Sequence, residues 1–215
     1  MGEEKMDYKI DKEIISYIEE NIFPIYGKNE KGHGIEHIKK VIERSLELSN
    51  GYDVDLNKIY VIASYHDLGH HIDKDKHEII SGTMLEKDKN LKKWFSEKEI
   101  KLMKEAVEDH RASLGHEPRS IYGKIISSAD RTFPDFKDHV LRSYYYGLKH
   151  FPTYTYDEQI ERIYNHLIEK YGENGYAKVY IIDKKYDEAL KEFHNTLKNK
   201  KEFIIKAKEL IEGEK

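Results

Sequence analysis

Cysteine is missing altogether from the 215 residues. That excludes disulfides, thiolate zinc sites and a cysteine nucleophile, and it fits a reducing compartment. Also missing is any uncharged apolar run approaching the ~18 residues that a membrane span requires, so no membrane partner is expected. The opening residues MGEEKMDYKIDKEI are charged and lack the apolar core of a signal peptide. A cytoplasmic location is the simplest expectation. Net charge is small: 37 Lys and Arg stand against 41 Asp and Glu, a formal charge of −4, with no long basic run. That balance gives no support to nucleic acid as a partner. No internal repeat or low-complexity linker is present, and the length suffices for one domain with a sizeable core.

What is present reads almost entirely as helix. Ile10, Ile14, Ile15, Ile18 and Ile22 recur at helical spacing, with Pro24 and Gly27 as stop signals. After the loop from Gly27 to Gly34, a second helix carries Ile35, Ile38, Val41, Ile42, Leu46 and Leu48 on its apolar face. Asp55 is placed to cap a third, Leu56 to Leu68, which is apolar around most of its circumference and therefore central. Further helices are expected over 77–87, over 96–111 with the capping box Ser96 and Glu99, and over 120–130. Others are expected from Asp135 to Leu148, from Asp157 to Tyr171, and as one or two closing helices over 184–212. The β-branched stretch Val179–Ile182 has no strand partner in view and reads as a connector. The expected architecture is all-α, a single domain over 1–215 whose residues 134–215 form a helical extension packed on the core.

Chemistry concentrates in ASYHDLGHH, residues 63–71, where an apolar helix ends in His66 and Asp67 with His70 and His71 just beyond. Buried without partners, such groups are unfavourable, and a bound cation is the usual compensation. His33 and His37 lie four apart, as do His66 and His70, so each pair shares a face if helical. Asp130 ends a second apolar helix, KIISSAD, in the same manner as Asp67. Two buried helices each leading to an aspartate suggest that both acids meet at one interior site. The plain alternatives are core or surface histidines and solvated helix ends. They stand for His116, His139, His150, His166 and His194.

HGIEHIKKVIERS, ASYHDLGHH and KIISSADR together resemble the HD superfamily of metal-dependent phosphohydrolases, over Gly32 to Phe133. Carried over residue by residue, the resemblance implies His37 as first ligand, His66 and Asp67 as the His-Asp doublet, and Asp130 as the last. His33 matches a position that is not usually a ligand and is left out. His77, ten residues after Asp67, and His110, twenty before Asp130, match extra ligand positions of members that hold two metals, where Asp67 would bridge. Otherwise they pack, or touch only substrate. The resemblance implies a compact helical HD bundle that activates water on one or two divalent ions: manganese, iron, nickel, zinc, cobalt or magnesium. The segment DHRASLGHEP…SIYGKIISSADR is similar to small bacterial HD hydrolases, some of which cleave nucleotide phosphoanhydrides.

A phosphorylated small molecule needs cationic partners. Arg111 and Arg131 directly follow implied ligands and rank above Arg119 and Lys124 as substrate-binding or catalytic groups. His70 is the candidate general acid or phosphate contact. The doublet does not continue to lysine as in cyclic-dinucleotide-cleaving HD-GYP members, which disfavours that substrate. HDLGH instead resembles HD oxygenases, where two irons act on a small phosphonate or polyol, and this is the alternative enzyme class. A metal-stabilised ligand sensor is the non-enzymatic alternative. A monomer and a homodimer are both compatible with the sequence.

Overall fold

A computed structural model of the protein describes residues 9–29, 33–131, 133–172 and 174–214. Gly32, where the resemblance begins, lies outside the described residues, as do the first eight. Among those described, regular structure is all-α, with no strand. The helices are α1 (Lys12–Asn21), α2 (Ile35–Leu48), α3 (Leu56–Tyr65), α4 (His77–Lys87), α5 (Glu97–Glu108), α6 (Ile121–Ala129), α7 (Phe136–His150), α8 (Tyr156–Tyr171), α9 (Lys184–Lys198) and α10 (Lys200–Gly213). None is long and apolar enough to cross a membrane. Two 3-10 segments, Phe23–Lys28 and Lys89–Lys93, were not legible in the apolar periodicity.

The caps expected from sequence form: Asp55, Ser96 and Asp135 each accept a backbone N–H of the first turn, Ser96 within a full capping box. The start of α8 differs from expectation by one residue. Thr155 and Glu158 make a second capping box there, so the helix opens at Tyr156 rather than Asp157. Asn199 divides the closing stretch into two helices and caps the second.

The chain gathers into two compact units. The first holds the described residues up to Arg131 together with Val179–Ile181. Its centre is α3, buried without interruption from Ile59 to Tyr65, with α2, α5 and α6 packed around it and α4 laid along α5. Val179–Ile181 is a connector, as expected. The Tyr180 and Ile181 N–H groups both donate to Ser128 Oγ at 2.9 Å, and Ile181 joins the core of this unit.

The second unit runs from Phe133 to Lys178 and from Ile182 onward. Val140, Ile160, Ile163, Leu167, Phe193, Leu197, Phe203 and Ala207 fill its core. His139 is buried among them, its ring 4.7 Å from that of Tyr171 and 5.6 Å from that of Phe193. Burial, reinforced by the charges of Lys170 and Arg142 and opposed by a hydrogen bond to the Phe133 backbone and by the charge of Asp135, pushes its pKa down to about 4. The folded unit thus holds His139 neutral, while an unfolded chain protonates it near pH 6.5. Its burial costs nothing above pH ~6.5, and the full penalty of about 3 kcal/mol is reached below pH ~4. Urea unfolding of His139→Phe beside the wild type is expected to show this acid-dependent loss only in the wild type.

Candidate metal centre

The first unit brings five helix ends to one place. α3 ends at Tyr65, three residues earlier than its apolar pattern suggests, because the carbonyls that would extend it are taken by side chains. Tyr26 OH donates to Ser64 O at 2.9 Å and His66 Nδ1 bonds Ala63 O at 2.7 Å, while beyond the helix Asn29 Nδ2 donates to Asp67 O at 3.0 Å. The doublet therefore sits in tight turns rather than on a helix, and adjacent side chains can serve one site. This corrects the shared-face reading. α2 begins at Ile35, after His33, and α3 stops before His70, so neither histidine pair is a helical i, i+4 pair.

The other groups come from helix termini as well. His37 lies in the first turn of α2, His77 opens α4, His110 follows α5, and Asp130 is the C-cap of α6. His37 Nε2 is 3.2 Å from Asp130 Oδ1 and 3.6 Å from Asp67 Oδ2. His66 Nε2 is 3.7 Å from both of those oxygens. On the other side of the same carboxylate, Asp67 Oδ1 is 3.3 Å from His77 Nε2 and 3.4 Å from His110 Nε2. Asp67 thus divides its oxygens between two ligand sets. His66, Asp67 and His110 are almost fully buried.

Hydrogen bonds behind the rings fix which nitrogen faces the centre. The Nδ1 atoms of His66, His77 and His110 each meet a backbone carbonyl, of Ala63, Lys74 and Val107 respectively, at 2.6–2.8 Å. A ring held this way carries its proton on Nδ1 and offers the Nε2 lone pair inward, the arrangement common to metal-ligating histidines. Two such Nε2 atoms, of His77 and His110, stand 3.1 Å apart, and those of His66 and His37 stand 3.4 Å apart. Facing lone pairs repel unless a proton or a cation lies between them, so the donor set fits divalent metal. An all-nitrogen-and-oxygen set suits manganese, iron, cobalt, nickel or zinc.

Electrostatics point the same way. Burial works against the charged form of Asp67, but the neighbouring His66, His110 and His33 rings outweigh it and hold the carboxyl well below its usual range. Asp130 is likewise held down, burial being outweighed by the neighbouring His37 and His66 rings. His66 is raised to about 9, since Asp67 and Asp130 overcome its burial. His77 is lowered, by burial and by His110. The pocket therefore keeps both carboxylates ionised and attracts positive charge.

The cationic residues named from sequence are placed differently from one another. Arg131 is buried, its guanidinium donating to His110 O and Ser127 Oγ and lying 3.5 Å from Asp130. Arg111 lies beside the second set, on the Glu78 carboxylate at 3.1 Å and the Asp75 carbonyl. Arg119 pairs with Glu108 and with the fully buried Asp109, and Lys124 with Glu117. Arg119 thus ties the end of α5 to the loop before α6, and Lys124 ties that loop to α6. His70 packs at the centre's edge, its ring 5.4 Å from that of His77, and burial together with the charge of His33 lowers its pKa.

Residues 34–135 match the family model of the HD domain. That stretch of the chain belongs to the HD domain family. The match spans every residue of both ligand sets. No curated protein matches the chain. A predicted HD superfamily hydrolase from an uncultured Thermotogales bacterium, solved at 1.45 Å resolution, is similar at 21% identity with a TM-score of 0.47. The similarity covers 74% of this chain and 87% of that one. Likeness at that level does not bear on activity. The HD domain assignment and the histidine–aspartate clusters agree on one point: these residues could hold divalent metal.

Proposed function

We propose that the protein is a metal-dependent phosphohydrolase that cleaves a phosphate ester or anhydride of a nucleotide or similar small metabolite. The observation that carries this reading is the divided carboxylate of Asp67. In the proposal, His37, His66, Asp130 and Asp67 Oδ2 hold one divalent ion, while Asp67 Oδ1, His77 and His110 hold a second. Ions so held would lower the pKa of a bound water and polarise a phosphoryl oxygen.

The remaining roles fall to the chain's own groups. Arg111 is partly exposed beside the second set, and its planar fork takes phosphate oxygens once it swings from Glu78. Arg131 keeps Asp130 and the His110 carbonyl in register. His70, held neutral at the edge, donates a hydrogen bond to the departing oxygen. Arg119 and Lys124 would contribute through their support of α5 and its following loop.

The test is elemental analysis of protein purified without added metal or chelator, with phosphate release measured on a panel of nucleotides and phosphate esters. About two non-iron ions per chain with phosphate release is the expected result. One ion with release would reassign His77 and His110 to substrate contact. Two irons with a dioxygen-sensitive absorption band and no release would favour the oxygenase reading. No metal even after adding manganese would overturn the proposal.

A further inference from the structure

Beside the two ligand sets lies a group of side chains with no part in the roles above. His33 places Nδ1 2.7 Å from Asp67 Oδ2, on the same oxygen that faces His37 and His66. Its ring stacks on that of His70, with centroids 3.9 Å apart and planes inclined by 18°. Asn29 fastens the surrounding backbone. Its Nδ2 donates to His33 O and to Asp67 O, both at 3.0 Å, and its Oδ1 accepts from the His71 N–H at 3.1 Å and faces His71 Nδ1 at the same distance. Every donor and acceptor of that amide is used. One side chain thus ties the chain on both sides of the His33–Asp67 hydrogen bond.

The constraint has a purpose at Asp67. A carboxylate turns readily about its terminal torsion, and a small turn would take Oδ1 away from His77 and His110 or Oδ2 away from His37 and His66. Among the described residues, the other contacts to the Asp67 carboxylate come from those four histidines, which metal would occupy. His33 approaches from outside both sets, fixed by its stack and by Asn29. We propose that His33 is a positioning residue: its Nδ1–H holds Asp67 Oδ2 so that the carboxylate presents one oxygen to each ligand set.

This inference rests on the reading of Asp67 as a metal-bridging residue. His33 also falls within ligand distance of His37 and Asp67. As a ligand, however, it would present a bare nitrogen to Oδ2, at a separation that suits a hydrogen bond. Hydrogen-bonded partners of metal ligands of this kind commonly contribute about 10–100-fold in metal affinity.

The test is cobalt(II) titration of the full chain, followed by calorimetry and visible absorption, for wild type, His33→Ala and His33→Asn. Asparagine keeps an N–H donor near the position of the histidine Nδ1 while removing the imidazole ligand. His33→Ala is expected to weaken cobalt binding about 10–100-fold at unchanged stoichiometry, and His33→Asn to recover most of that loss. Unchanged affinity in His33→Ala would overturn the proposal. So would the loss of one cobalt per chain in both variants, which would make His33 a ligand. Wild-type protein that takes up no cobalt would instead bring down the metal reading on which the proposal rests. Far-UV circular dichroism confirms that each variant folds.

Discussion

Replacing Asp67 with alanine is expected to empty both ligand sets and to lower turnover by at least about a thousand-fold, close to 4 kcal/mol of activation free energy. The expectation follows from the division of its carboxylate, with Oδ2 toward His37 and His66 and Oδ1 toward His77 and His110. Removing that anion leaves four imidazole nitrogens in a pocket whose neutralising charge is reduced to Asp130. His77→Ala is the informative contrast, because it touches one set only and should leave the other ion in place. Elemental analysis of the two variants beside the wild type checks the pair. Wild-type metal content in Asp67→Ala would remove Asp67 from the centre.

Gly69→Ala is expected to destabilise the first unit by about 1–3 kcal/mol and to weaken the second ligand set with it. A Cβ at this position would lie 2.6 Å from Ile80 Cγ2 and 3.0 Å from the Ser81 backbone nitrogen. The turn after the doublet and the flank of α4 are already in contact there, joined by a hydrogen bond from Gly69 N–H to Ser81 Oγ at 2.9 Å. An added methyl must push α4 outward, and α4 begins with His77. Thermal unfolding gives the stability loss, and cobalt stoichiometry tests whether His77 has moved. A variant as stable as the wild type, still binding both ions, would show that the contact yields freely.

Several features were legible in the sequence because their causes are local. The apolar period of α2, the all-round hydrophobicity of α3 and the caps at Asp55, Ser96 and Asp135 each depend on residues within a turn or two of one another. The two helices leading to Asp67 and Asp130 were visible for the same reason, and family resemblance supplied the candidate residues between them. Local reasoning failed where a distant partner intervenes. The i, i+4 spacing of His33 and His37 suggested a shared helical face, yet Gly34 caps α2 and leaves His33 outside the helix. His33 was then set aside as a ligand, and its hydrogen bond to a residue thirty-four positions away had no signature in the spacing.

By itself, then, the sequence determined an all-α chain and the chemical types gathered around the doublet, since helix propensity, apolar period and capping act over a few residues. Only the tertiary structure decided how these groups are used. It ended α3 at Tyr65 by giving carbonyls of its last turn to Tyr26 and His66. It turned the two oxygens of Asp67 toward different histidines, and it committed Arg119 to the buried Asp109. Each of these depends on hydrogen bonds and ion pairs whose directions are set by the packing of several helices, which spacing along one chain does not encode.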